Sequence, residues 1–134
     1  MIMSDVNWRE ILGWTNDQLE ELRFSGFSFL REGHYQKALL FFQALVILDP
    51  ENAYDAQTLG AIHLQMGDGP KALQILDKAL RLEPGHEPSL LNKAKALLIS
   101  NQRRAAIELA FQLERSLDPA IAGDASALVF SYKG

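Results

Sequence analysis

Cysteine is absent from the chain, which removes a disulfide framework, a zinc–thiolate site and any thiol nucleophile. Proline is scarce, with five in 134 residues, so few positions bar a helix. Long apolar runs are missing as well. The richest, 38–48, is interrupted by Gln43 and reaches about half of the roughly 20 residues that cross a bilayer, so no membrane insertion is expected. The opening MIMSDVNWRE has no basic segment followed by an apolar stretch; no secretory signal is read there, and a cytoplasmic setting is expected. A basic stripe able to follow phosphates is also lacking. The net charge is −4, and Arg103-Arg104 and Lys93/Lys95 are isolated pairs, which argues against nucleic acid as a partner.

What is present is a repeat. Pro50, Pro84 and Pro119 each follow a leucine and an acidic residue, at intervals of 34 and then 35. A shift of 34 lays Gly26 on Gly60, Gly33 on Gly67, Ala38 on Ala72, Leu39 on Leu73, Leu48 on Leu82 and Pro50 on Pro84. Such self-similarity marks a stacked architecture. Between these marks the apolar spacing is helical: Leu22, Gly26 and Phe29 recur at steps of four and three, as do Leu59, Ile62 and Met66. Each unit therefore reads as two helices. Gly26 and Gly60 let helix backbones approach, with Ala38 and Ala72 doing the same from the facing helix. Gly33 and Gly67 stand where a left-handed cap turns the chain. Pro50 and Pro84 end the second helix. The spacing predicts an all-α chain with helices over 5–13, 16–32, 35–48, 53–66, 69–82, 87–100, 103–117 and 121–131. Ser4 is expected to cap the first, and Thr15 to Gln18 to form a capping box opening the second.

Chemistry is hard to find in these residues. His34, His63 and His86 lack the spacing of a metal site, and Gly67-Asp68-Gly69 lacks the Lys-Ser/Thr of a phosphate-binding loop. No serine, histidine and acid stand out as a triad. No catalytic residue, cofactor or metal is therefore assigned, and no enzyme is expected. Glu20-Glu21 and Asp49/Glu51 read as solvated helix ends.

The set Gly26, Gly33, Tyr35, Ala38, Phe42, Pro50 and then Gly60, Gly67, Ala72, Ala79, Pro84 resembles the tetratricopeptide repeat (TPR). The resemblance implies a single domain folded as a right-handed superhelical array of about three helix-turn-helix repeats. Residues 1–18 are the N-terminal helix, 19–52 repeat one, 53–86 repeat two, 87–119 a degenerate repeat three, and 120–134 a C-terminal cap. Repeat three keeps Ala94 and Ala106, but Asn101 replaces the turn glycine and Pro119 arrives one residue late.

By the family pattern, a concave groove would be lined by Arg23, Phe27 and Leu30, then Tyr54, Gln57, Ala61 and Leu64, then Leu91, Lys95 and Leu98. That lining is mostly apolar and suits a partner with hydrophobic anchors. Phe27, Tyr54, Leu64 and Leu98 can each be read as groove or as core; Phe41, Phe42, Leu45 and Leu76 read as core. Trp8 and Trp14 can pack the first helix onto the repeats or fill a dimer interface. A co-chaperone carboxylate clamp would use Lys and Asn where Arg23, Phe27 and Ala61 stand.

The stretch GFSFLREGHYQKALLFFQALVILDPENAYDAQTLGAIHLQMGDGPKALQIL, followed by EPSLLNKAKALLISNQRRAAIELA, is similar to the class II type III secretion chaperones of bacterial translocator proteins. FQAL with LD closing the first unit, LGA, MG at the second turn and EP opening the third carry that similarity, over roughly residues 15 to 115. It implies a protein client, a hydrophobic secreted translocator whose extended segment is masked in the groove before export, and a possible homodimer through the N-terminal helix. A chaperone of the needle subunit, holding a client helix, and a generic scaffold are the alternatives. Leu64→Glu is expected to abolish client binding and leave melting nearly unchanged.

Overall fold

The computed structural model describes residues 6–133. Among them are eight helices and no strand: α1 Trp8–Leu12, α2 Asn16–Arg31, α3 Tyr35–Leu48, α4 Ala53–Gln65, α5 Gly69–Leu82, α6 Glu87–Ile99, α7 Arg103–Leu113 and α8 Pro119–Lys133. None is long and apolar enough to cross a membrane. The helices pack as consecutive pairs, α2 on α3, α4 on α5 and α6 on α7, with α4 beside α6 and α6 beside α8. This is a TPR-type array.

Local chemistry sets the helix ends. Thr15 Oγ1 accepts from the Gln18 amide at 3.1 Å while Gln18 Oε1 accepts from the Thr15 amide at 2.9 Å, the expected capping box. The expected Ser4 cap lies outside the described residues; the helix begins later, and Asn7 caps it by accepting from the Glu10 amide at 3.0 Å. Asp68 caps α5, whose first turn holds Pro70.

The turns inside the pairs share one geometry. Gly33 and Gly67 have φ of 79° and 80°, and Asn101 takes φ 64° at the third turn. In each, the next amide reaches back to a carbonyl five residues earlier: His34 to Phe29, Asp68 to His63 and Gln102 to Leu97. That bond satisfies the last carbonyls of the first helix. Asn101 thus does the work of the missing glycine, since asparagine tolerates the left-handed region better than most residues.

Expected boundaries also move around the last loop. The helix expected to reach 117 stops at Leu113. Pro119 instead opens α8, with Asp118 Oδ1 accepting from the Ala120 amide at 2.9 Å; proline suits the first helical position because that amide has no helical partner.

The core is a chain of apolar layers. The first gathers Leu19, Phe42, Leu45, Leu48, Leu59 and Ile62, with Trp14 packed against it. A second layer holds Ala72, Leu76 and Ala96, and a third holds Leu91, Leu113, Ile121 and Ala125. Phe42, Leu45 and Leu76 are core as expected, whereas Phe41 is only half-buried, tilted on Phe29. The helix α8 lies over α6 and α7 and covers the last pair with Ile121 and Ala125.

Candidate functional site

The groove residues expected from the repeat pattern sit on α2, α4 and α6, and their environments differ. Phe27 is exposed and rests edge-on against Phe42, with ring centroids 5.0 Å apart. Tyr54 is 61% exposed and stands perpendicular to the His86 ring at 4.5 Å. Gln57, Ala61, Lys95 and Leu98 are half-buried. Leu30 is half-buried against the first core layer, and Leu64 against the layer of Ala72, Leu76 and Ala96. Leu64 therefore carries packing as well as surface, which undercuts the expectation that Leu64→Glu spares the fold.

Two of the ten do not present a free groove side chain. Leu91 is 6% exposed, closed beneath α8 by Ile121 and Ala125. A residue with groove spacing is thus covered by α8. Arg23 is spent on its neighbours: its Nε and Nη2 donate to the two oxygens of Asp55 at 2.8 and 2.6 Å, Nη2 also to Asp49 at 2.5 Å, and Nη1 to Glu20 at 2.5 Å. Asp49 and Glu20 are thus partners of a cation rather than free helix ends. Asp55 is 2% exposed, and its carboxyl is raised above the ordinary value of 3.8, first by burial, with Arg23 pulling the other way. Burial outweighs pairing for the carboxylate. The same pairing holds the Arg23 guanidinium more firmly charged than usual.

The sequence reading missed this cluster. Arg23 and Asp55 are 32 residues apart, close to one repeat, and the lone carboxylate of α4, in its first turn, was its only signal.

His86 ends the loop before α6 as its N-cap residue, 7% exposed, with Nδ1 2.6 Å from Ser89 Oγ. Glu83 Oε2 is 3.8 Å from His86 Nε2. This serine, histidine and acid stand in the order of a triad, but Ser89 is fully buried at 0% exposure, so no substrate carbonyl reaches its oxygen. His63 is buried within α4, and burial, with Lys71 adding to it, pushes its imidazole below 6.5 against the pull of Asp68. Among the described residues no group of three His, Cys, Asp or Glu is placed to hold a metal ion.

The two N-terminal tryptophans divide. Trp14 packs on the first core layer, whereas Trp8, at 36% exposure, shares α1 with exposed Ile11 and Leu12.

No family model matches the chain. Of curated proteins, the CTR9 homolog of Arabidopsis thaliana is 29% identical over 107 residues, 77% of this chain; the chain spans about 10% of that relative's length. Many solved structures share the fold. The Yersinia enterocolitica type III secretion chaperone SycD, in complex with a peptide of the translocator YopD, superposes with TM-score 0.80 at 22% identity, covering 89% of this chain and 95% of that one. PcrH in complex with the chaperone-binding region of PopD gives 0.73 at 25% identity, covering 90% and 95%. The TPR2B domain of yeast Sti1 in its pHsp70 complex gives 0.77 at 18%, covering 87% and 98%.

Proposed function

We propose that this protein is a TPR chaperone that masks a hydrophobic segment of a protein client, and that the client is a translocator of a type III secretion system. One observation carries the reading. The candidate face offers Phe27, Leu30, Tyr54, Leu64 and Leu98 as apolar contacts, while its one arginine is neutralised by Glu20, Asp49 and Asp55. A partner there is read by apolar anchors rather than by an acidic tail, because a guanidinium already held by three carboxylates has little left for a fourth. The likeness to SycD with its YopD peptide and to PcrH with its PopD region supports the same class of client. A homodimer through the N-terminal helix belongs to this reading, supported by the exposure of Trp8, Ile11 and Leu12.

The experiment is affinity purification of the tagged protein from its native host, followed by mass spectrometry, with Ala61→Glu and Phe27→Ser as paired variants. These replace Leu64→Glu because neither side chain sits in the layer of Ala72, Leu76 and Ala96. A hydrophobic secretion substrate recovered by the wild type and lost in both folded variants supports the chaperone. Recovery of an unrelated complex, unchanged by either variant, favours a scaffold acting through its outer surface. That second reading draws on the CTR9 homolog, whose far greater length leaves the matched stretch a small part of the whole.

A further inference from the structure

The loop between α5 and α6 closes one side of a cavity of about 490 Å³. Tyr54 from the start of α4, Leu82 and Glu83 from the end of α5, His86 and Glu87 from the start of α6, and Asp118 before α8 line it, and no lysine or arginine does. The geometry points to a subsite for the cationic side chain, arginine or lysine, of the partner segment that occupies the apolar face. This deepens the chaperone reading and rests on it.

Three features converge on that ligand. The first is charge: Glu83, Glu87 and Asp118 face one space. Glu87 accepts from the Ser116 hydroxyl and Asp118 caps α8, so both carboxylates are held in place, while Glu83 is 61% exposed and free to swing. The second is aromatic. Tyr54 stands perpendicular to His86, which leaves at least one face of its exposed ring open, and a guanidinium or ammonium is attracted to such a face. Tyr54 also belongs to the apolar face, so a segment anchored there reaches the cavity within a residue or two.

The third feature is a buried ring nitrogen beside Glu83. His86 lies buried with Nδ1 committed to Ser89, and its Nε2 has no hydrogen-bond partner. A buried ring nitrogen without a partner is costly. Its nearest acid is Glu83 at 3.8 Å, beyond hydrogen-bond reach. A cation in the cavity draws the Glu83 carboxylate inward to the ring edge, where it accepts from Nε2–H and closes that gap. The unpartnered nitrogen is thus the mark of a wall completed by its ligand.

The test needs no client. The ¹⁵N-labelled protein is titrated with N-acetyl-arginine amide and, separately, with N-acetyl-norleucine amide, which has a comparable chain and no charge. The arginine probe is expected to shift the amides of Tyr54, Glu83, His86 and Glu87 in a saturable manner that weakens with added salt. Glu83→Gln is expected to weaken it about threefold, as for loss of one exposed charge pair. Equal response to both probes, no response at tens of millimolar, or indifference to Glu83→Gln each overturns the subsite. A client captured through Phe27 and Ala61 with no arginine response would sink the subsite alone. The converse pattern would keep the subsite and sink the chaperone reading.

Discussion

Arg23 and Asp55 join α2 to α4 through two parallel hydrogen bonds of 2.8 and 2.6 Å. Further along the array the first helices of successive pairs approach directly, α4 to α6 and α6 to α8, but α2 and α4 do not. The long arginine side chain spans that gap. Removing the cation leaves a carboxylate at 2% exposure without compensation. Arg23→Ala is therefore expected to cost about 3 kcal/mol, the scale for breaking a buried pair from one side. Arg23→Met combined with Asp55→Leu should recover most of it, because no charge is then left buried. Urea unfolding of the three proteins checks this; a double variant as unstable as Arg23→Ala would mean that the charges themselves are required.

His63 sets one pH dependence. Its imidazole is pushed below 6.5 by burial, so the unfolded chain takes up the proton first. The stability it contributes is present above the ordinary value of 6.5 and is lost as pH falls from there through the lower folded-state value. Urea midpoints at about pH 7.5 and about pH 5.5 should fall further for the wild type than for His63→Gln. Equal slopes in the two proteins would assign the pH dependence to other groups.

Gly60 and Gly123 are both helical glycines with opposite expected responses to alanine. A Cβ on Gly60 would lie 2.7 Å from Leu76 Cγ, inside a layer where Leu76 is fully buried. Gly60→Ala is expected to lose about 1–2 kcal/mol, the cost of overpacking less the gain in helix propensity. Around Gly123 a Cβ meets nothing within 4 Å, and Gly123→Ala should gain about 0.5–1 kcal/mol. Thermal melts of the pair give the comparison directly; a neutral Gly60→Ala would show that α4 and α5 separate easily.

Asn101 holds φ 64° where the two earlier turns have glycine. Asn101→Gly is expected to stabilise by up to about 1 kcal/mol and Asn101→Ala to destabilise, since only glycine occupies that region without a Cβ penalty. A loss on Asn101→Gly would instead assign the asparagine side chain a bonding role of its own.

The array was legible in the chain because its signals are local. Thr15 and Gln18 box α2, Gly33 and Gly67 turn the pairs, and proline spacing gives the period; each acts within a few residues, so periodicity carries it. The expected spans of α3 and α5 match the structure residue for residue. Boundaries slipped where capping was read on the wrong residue, as at Pro119, which opens a helix instead of closing one.

The candidate face was legible only in part, because exposure there depends on residues far along the chain. Leu91 has the spacing of a groove residue, yet Ile121 and Ala125 bury it. Arg23 has the spacing of a ligand contact, yet Asp49 and Asp55 consume it. Ser89, His86 and Glu83 follow at intervals of three, yet only packing decides that the serine is sealed. The sequence by itself determined the helices, their pairing and the apolar character of the face. Tertiary structure decided which of those side chains are available, because availability is set by what else comes to lie against them.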